Sequence, residues 1–245
     1  MSNSGLPEDV MNLRGGSVLG KKTILKSDHF PGCQNKRLTP QIDGAPNYRQ
    51  AGSLHVHGVA IPTMDGIRNV LNHIGAQKNG KQKRVLWHSL REEPVVYING
   101  RPFVLRDVER PFSNLEYTGI NRARVEQMEA RLKEDILQEA ARYGNKILVT
   151  DELPDGQMVD QWELVTQDSI KTPLEVYEEL QAEGYHVDYE RVPITDEKSP
   201  KERDFDLLVC NLALAFIEML VSQAIMIRLH IFIYFRCFLG ACQPA

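Results

Sequence analysis

Strand-like and helix-like segments alternate along the middle of the chain, and this alternation limits the fold more than any other feature. The run RVLWHSL is typical of a buried strand, KILVTDE and VDYERVPI predict two more strands, and VVYING with RPFVLRD predicts a hairpin about Asn99-Gly100. Apolar residues recur every three or four positions in RARVEQMEARLKEDILQEAARYG, which predicts a helix that stops at Gly144. TPLEVYEELQAEGY predicts a second helix, capped by Thr172. We therefore expect an α/β domain with a mixed, partly parallel sheet flanked by helices.

Composition divides the chain into three parts. Residues 1–45 are rich in Gly, Pro, Lys and polar residues and predict an irregular arm, whereas 46–209 carry the α/β pattern. Within that second part, LHVHGVAIP predicts a strand and Thr63 is expected to cap a helix through IRNVLNHIGAQ. Residues 210–245 form a hydrophobic tail that differs from everything before it.

The overall charge and the cysteine content exclude several classes of protein. With 245 residues, a net charge of -4 and a pI near 6.0, the chain gives no electrostatic reason to expect nucleic acid as a partner. Four cysteines do not make a disulfide framework in this length, and the first residues lack the apolar core of a secretory signal. We therefore expect the reducing environment of the cytosol.

Two short motifs suggest ligands but fit poorly. GGSVLGKKT, from Gly15, nearly matches a phosphate-binding Walker loop, yet Lys22 stands where Ser or Thr should reach magnesium and no strand leads into it. A flexible basic arm is the better interpretation. His55 and His57 could share one face of a strand, but no Cys, Asp or Glu beside them completes a metal site, so we expect solvent-facing histidines and neither metal nor cofactor.

Three other stretches place charged residues where strands begin or end. GAPNYRQ puts Arg49 between a turn and a strand, and LREEPVVYING puts Arg91 just beyond a buried strand, where α/β proteins collect ligand groups. VPITDEKSP puts Asp196 after a strand in a loop closed by Pro200. Taken singly, each could be an ordinary salt-bridge or turn residue.

Together these three stretches resemble the tyrosine-phosphatase-like inositol phosphatases, the phytase-like family, from about Gly15 to about Val209. The resemblance implies that Asp196 is a general acid that protonates the leaving oxygen of a phosphate ester, and that Arg49, Arg91 and Lys198 bind the substrate. Ser89 departs from the aspartate that phytases often carry two residues before that arginine. The partner would be a phosphorylated small molecule or a phosphoprotein.

The family's nucleophile is a cysteine in a His-Cys-X5-Arg loop between a buried strand and a helix, and no cysteine here fits that motif. Six positions after Cys33, Cys210 and Cys237 stand Thr39, Phe216 and Gln243, and Cys242 lies three residues from the end. We therefore expect an incomplete phosphatase-like domain without turnover by the thiolate route. The alternative is a non-catalytic pseudophosphatase fragment that binds anions or a protein.

The tail from Leu207 to Ala245 contains 29 hydrophobic residues among 39. A membrane span would need about 20 consecutive apolar residues, and every such window holds Glu218, Arg228, His230 or Arg236. Marginal membrane insertion and a core helix both remain open. We favour a truncated chain whose C-terminus departs from the family near Val209 through splicing, a retained intron or a gene-model error.

Overall fold

The computed structural model describes residues 6–28, 35–76, 84–195, 198–221 and 230–234. Its helices are α1 (Pro7–Leu13), α2 (Met64–His73), α3 (Arg122–Arg142), α4 (Pro173–Ala182) and α5 (Glu202–Val221). Its strands are β1 (Thr23–Ser27), β2 (Arg49–Gln50), β3 (Val56–Gly58), β4 (Val85–Arg91), β5 (Val95–Ile98), β6 (Arg101–Asp107), β7 (Lys146–Glu152), β8 (Met158–Leu164), β9 (Ile170–Lys171), β10 (Val187–Ile194) and β11 (His230–Tyr234). The α/β class expected from the sequence is confirmed.

The first sheet has six strands in the order β8-β7-β1-β6-β5-β9. β1 runs parallel to β7, and the other neighbouring strands are antiparallel. β5 and β6 form the predicted hairpin, in which Asn99 and Gly100 both have positive φ angles, 50° and 77°. This conformation suits a two-residue turn, and Asn-Gly adopts it readily.

The second sheet has the order β10-β4-β11-β3-β2 and is parallel except for β2 at one edge. Parallel strands must be joined by crossover segments. α5 lies between β10 and β11 in the chain, and β4 lies between those two strands in the sheet. The sheet is therefore mixed and partly parallel, as expected.

The helices pack as the periodicity predicts. α3 buries Val125, Leu132 and Ile136, and the last two lie in a core formed with the first sheet. α2 and α4 share a second core with residues from both sheets, and in each the predicted threonine, Thr63 or Thr172, caps the first turn through its side-chain oxygen. These local predictions are confirmed.

The N-terminal region differs from the expected arm. It contains α1 and also β1, which lies between β7 and β6 in the first sheet. β1 carries Lys26, whose buried ammonium pairs with Glu152 on β7. A buried charge inside a strand removes the apolar signal by which the sequence would reveal it, and the pairing with Glu152 is what makes its burial tolerable.

The C-terminal region begins with α5, which crosses the predicted boundary between residues 209 and 210. Four apolar side chains in the part of the helix whose side chains are described are 50–62% exposed: Phe205, Leu207, Val209 and Leu214. Among the described residues, no helix has the length and apolar character needed to cross a membrane. The three-part division of the chain stays a prediction, and residues 222–229 and 235–245 of the tail lie outside the described part.

Candidate functional site

The C-terminal ends of the parallel strands in the second sheet meet along one edge, here named the carboxyl edge. β3 ends there at Gly58, β4 at Arg91, β10 at Ile194 and β11 at Tyr234. Ile194 lies level with Arg91, and β11 brings Ile233 level with Gly58. Ligand groups of α/β proteins collect at such edges. The fold therefore brings Arg49, Arg91 and the residues flanking Asp196 to one side of the sheet.

Arg49 opens β2 and pairs with Gly58 of β3. Its Nη1 donates to the carbonyl oxygen of Asn47 at 3.0 Å. A Cβ atom at Gly58 would lie 3.1–3.2 Å from Cζ, Nε and Nη2 of Arg49, so the guanidinium packs closely against the backbone of Gly58. Among the described residues Arg49 forms no ion pair with a carboxylate, and its N–H groups other than the one bonded to Asn47 could donate to an anion.

Arg91 stands at the same edge but has a different environment. It is 6% exposed, and its Nη1 and Nη2 lie 2.5 Å from Asp28 Oδ2 and 2.5 Å from Glu93 Oε2. Glu93 also accepts from Arg106 Nη1 at 2.6 Å. The charge of Arg91 is therefore largely compensated inside the protein. The sequence predicted the position of Arg91 but not the identity of these partners. The charged residues of LREEP, at the end of a buried strand, did indicate that some polar network would be needed there.

Asp196 lies outside the described residues, while Thr195 and Lys198 on either side of it are described. The hydroxyl of Thr195 donates to Glu92 Oε2 at 2.9 Å. Lys198 Nζ donates to Glu116 Oε2 at 2.9 Å and to Thr118 Oγ1 at 3.2 Å. Lys198 is thereby connected to the loop between β6 and α3, and Thr195 to the turn between β4 and β5.

The two histidines considered for a metal site have separate environments. His55 is exposed, as expected, but the prediction of a solvent-facing His57 is wrong. His57 is buried, and its Nδ1 shares a 2.9 Å hydrogen bond with the hydroxyl of Tyr48, whose pKa burial raises to about 12. In the described ranges no three His, Cys, Asp or Glu side chains cluster as metal ligands.

The sequence missed His88, which is 1% exposed on β4. The side-chain amide of Asn211 on α5 donates to its Nε2 at 3.3 Å. Burial lowers the pKa of His88 to about 4, because a charged imidazolium would lose its hydration there. His88 is therefore neutral at physiological pH and connects α5 to the second sheet.

The Walker-like stretch is an internal carboxylate site. The backbone N–H groups of Val18 and Leu19 donate to Asp135 Oδ2 at 2.7 and 3.1 Å. A Cβ at Gly16 would lie 2.5–2.8 Å from the Asp135 side chain, which explains the glycine. Since the protein's own carboxylate occupies these donors, the stretch does not cradle a nucleotide phosphate.

Comparison with known proteins identifies the family of this chain. The family model PTPlike_phytase, described as "Inositol hexakisphosphate", matches residues 88–241, which is more than half of the chain. The chain belongs to this tyrosine-phosphatase-like phytase family, and the family expected from the sequence is confirmed. The match continues past the end expected near Val209, to residue 241.

Two relatives and one solved structure show how far the likeness extends. Paladin of Gallus gallus is 25% identical over 190 residues, covering 78% of this chain and 20% of that protein. Paladin of Homo sapiens is 29% identical over 177 residues, covering 68% and 20%. The chain thus spans about a fifth of the length of these relatives. The tandemly repeated protein tyrosine phosphatase like phytase from Mitsuokella multacida matches with a TM-score of 0.50 at 17% identity, over 94% of this chain and 35% of that one, which indicates a shared fold.

Proposed function

We propose that this chain binds phosphate esters at the carboxyl edge and does not hydrolyse them through a cysteine thiolate. The observation that carries the binding is Arg49, whose guanidinium lies at this edge without a carboxylate partner among the described residues. A planar guanidinium can donate two parallel hydrogen bonds to a phosphate group. The family description names inositol hexakisphosphate, so inositol phosphates are the preferred class of ligand, with phosphoproteins as the other class.

The other site residues have different proposed roles. Lys198 is half exposed, so its ammonium can turn from Glu116 toward a bound anion. Arg91, paired with Asp28 and Glu93, would attract a bound anion less strongly than Arg49 does. Asp196 would stand as the family's general acid, a role that needs an attacking group before it can act.

The proposed lack of turnover rests on the cysteines. A thiolate attacks phosphorus only when its charge and that of the transferred phosphoryl group are stabilised by N–H donors and an arginine. Cys210 lies within α5, and Phe216 follows it at the position of that arginine. Cys237 comes three residues after β11, a parallel strand between β3 and β4, but Gln243 stands where the motif requires arginine. An amide cannot replace the positive charge that the transition state requires.

Calorimetric titration with inositol hexakisphosphate at low ionic strength tests the binding. We expect measurable binding that weakens with added salt, and an Arg49→Gln variant about tenfold weaker, since a hydrogen bond to a charged group is lost. Arg142→Gln is the matched control, because Arg142 is exposed at the end of α3 and carries the same charge. A flat titration with the unaltered chain would contradict the proposal.

A phosphate-release assay tests the second half. The chain is incubated with inositol hexakisphosphate and with an aryl phosphate, beside an Asp196→Asn variant and a Cys237→Ser variant. We expect no release above background from any of the three proteins. Release by the unaltered chain that either substitution abolishes would show that the thiolate route operates after all.

The proposal includes a cytosolic location, supported by the cysteine usage and by Cys210, an exposed free thiol in the described part of the chain. Fluorescence microscopy of a tagged chain, with a secretory marker as reference, tests it. Coincidence with the secretory marker would contradict it.

A further inference from the structure

Glu92 is a buried carboxylate with two neutral hydrogen-bond donors. It follows Arg91 at the end of β4 and is 4% exposed. Its Oε2 accepts from the hydroxyl of Thr195 at 2.9 Å, and its Oε1 accepts from the backbone N–H of Tyr117 at 3.2 Å. Neither donor is charged, so the burial of this carboxylate depends on both hydrogen bonds being kept.

These contacts join two segments that are distant in sequence. Tyr117 belongs to the loop between β6 and α3, and Thr195 directly follows β10. Lys198 contacts the same loop through Glu116 and Thr118. Thr195 is therefore connected to this loop through the buried carboxylate of Glu92, and Lys198 is connected to the same loop through an exposed ion pair.

The two connections differ in strength. In the ion pair, the side chains of Lys198 and Glu116 are 50% and 61% exposed, so water and salt screen it. The contact of Thr195 with Glu92 is part-buried, with Glu92 only 4% exposed, and losing the hydroxyl would leave a buried carboxylate oxygen without that donor. The buried contact is thus the one able to fix the stretch, while the exposed contact leaves Lys198 free to exchange Glu116 for another anion.

We propose that Glu92 is a positioning residue for anion binding, which holds Thr195 against the β6–α3 loop so that Lys198 stays at the carboxyl edge. This inference rests on the proposed function. It assigns to Glu92 an effect on affinity without direct contact with the ligand. A purely structural Glu92 would only satisfy the N–H of Tyr117 and would leave the affinity for anions unchanged.

Substitution of Thr195 tests the contact while the buried carboxylate of Glu92 and its bond to the Tyr117 N–H stay in place. Thr195→Val removes the hydroxyl at nearly constant volume, and Thr195→Ser restores it. Thr150→Val is the matched control, because the Thr150 hydroxyl also donates to a carboxylate, Asp160 Oδ1 at 2.6 Å, in the β7–β8 pair. Unchanged exchange in the core strands would confirm that each variant is folded.

Two measurements are made on each variant. In hydrogen–deuterium exchange of the free protein, we expect peptides covering residues 194–201 to exchange about fivefold faster in Thr195→Val, the effect of one lost hydrogen bond. The affinity for inositol hexakisphosphate should fall about threefold in Thr195→Val and return in Thr195→Ser. The Thr150→Val control should match the unaltered chain in both.

Each outcome decides the matter. Exchange within twofold of the unaltered chain would overturn the holding role of Glu92, whatever the titrations give. Faster exchange with unchanged affinity would leave Glu92 a structural residue and overturn its positioning role. A flat titration of the unaltered chain would remove the anion function itself, and this failure is distinguishable because the exchange measurement uses no ligand.

Discussion

Arg191 on β10 and Glu129 on α3 form a buried ion pair in which Nη2 lies 2.7 Å from Oε1 and each side chain is 1% exposed. The same carboxylate oxygen accepts from the backbone N–H of Val95 on β5 at 3.0 Å. One carboxylate thus connects α3 to a strand of each sheet. This arrangement fixes the helix relative to the sheet that bears the candidate site.

Removing that carboxylate should destabilise the fold strongly. Glu129→Ala leaves the guanidinium of Arg191 buried with its charge uncompensated, and we expect the free energy of unfolding to fall by about 3–5 kcal/mol in urea titrations. Glu109→Ala is the control, because Glu109 is 73% exposed and pairs with the exposed Lys22. A change within about 0.5 kcal/mol is expected there. Equal effects of the two substitutions would contradict this account.

His88 should make stability depend on pH. Its pKa is about 4 in the folded protein, lowered by burial, and about 6.5 in an unfolded chain. The folded state therefore binds fewer protons between these values, so the contribution of His88 is complete above pH 6.5 and is lost as the pH falls toward 4. The expected loss is about 3 kcal/mol.

The measurement compares unfolding free energies at pH 7 and pH 4.5 for the unaltered chain and for His88→Gln. The variant should lose less stability on acidification, because its amide does not titrate. His55→Gln, at an exposed histidine, should behave like the unaltered chain. If the unfolding free energy of His88→Gln changes with pH as much as that of the unaltered chain, the imidazole of His88 does not cause the loss of stability in acid.

Gly66 allows the loop that precedes Arg49 to reach helix α2. A Cβ atom at Gly66 would overlap the carbonyl oxygen of Gly44, a backbone atom that cannot move aside, and Gly44 itself has a φ of +69°. We expect Gly66→Ala to lower the free energy of unfolding by about 2–3 kcal/mol. Gly20→Ala is the control, since nothing lies within 4 Å of its Cβ position. Its stability should stay within about 1 kcal/mol of the unaltered chain.

The elements predicted correctly from the sequence are those with strong local signals. α3 and α4 show apolar periodicity and end at recognisable caps, and the β5–β6 hairpin is marked by Asn99-Gly100. β8 is an edge strand whose side chains are mostly exposed or half-buried, so its sequence lacks a continuous apolar run. The predicted strand LHVHGVAIP shortens to Val56–Gly58, because the chain then turns to bury Val59 and Ile61 in the core beneath α2.

The place of Arg91 in the fold was predictable from the sequence, but its ion pairs were not. Arg91 is the last residue of a buried strand, and that fact alone indicates the carboxyl edge. Its partner Asp28 lies 63 positions away in the chain, and its contact with Arg91 depends on how β1 and β4 are placed in space. Arg49, which has no such partner among the described residues, looked no different from Arg91 in the sequence. Ion pairing between distant segments is a tertiary property that local patterns do not report.

The contact between Gly58 and Arg49 provides a test that separates binding from stability. In Gly58→Ala the new Cβ would stand 3.1–3.2 Å from the guanidinium of Arg49, so that side chain must shift by a few tenths of an ångström. Only the end of a flexible side chain has to move, and we expect the free energy of unfolding to change by less than about 1 kcal/mol. The affinity for inositol hexakisphosphate should nevertheless fall about threefold, because paired hydrogen bonds to phosphate depend on the orientation of the guanidinium.

Titration calorimetry beside urea unfolding measures both quantities on the same samples. Gly20→Ala again serves as the control, and the double variant Gly58→Ala/Arg49→Gln should bind no more weakly than Arg49→Gln alone, since the shift matters only while the guanidinium is present. A further loss of affinity in the double variant would mean that Gly58 contributes to the edge independently of Arg49, and the anion would then have to be placed elsewhere on the second sheet.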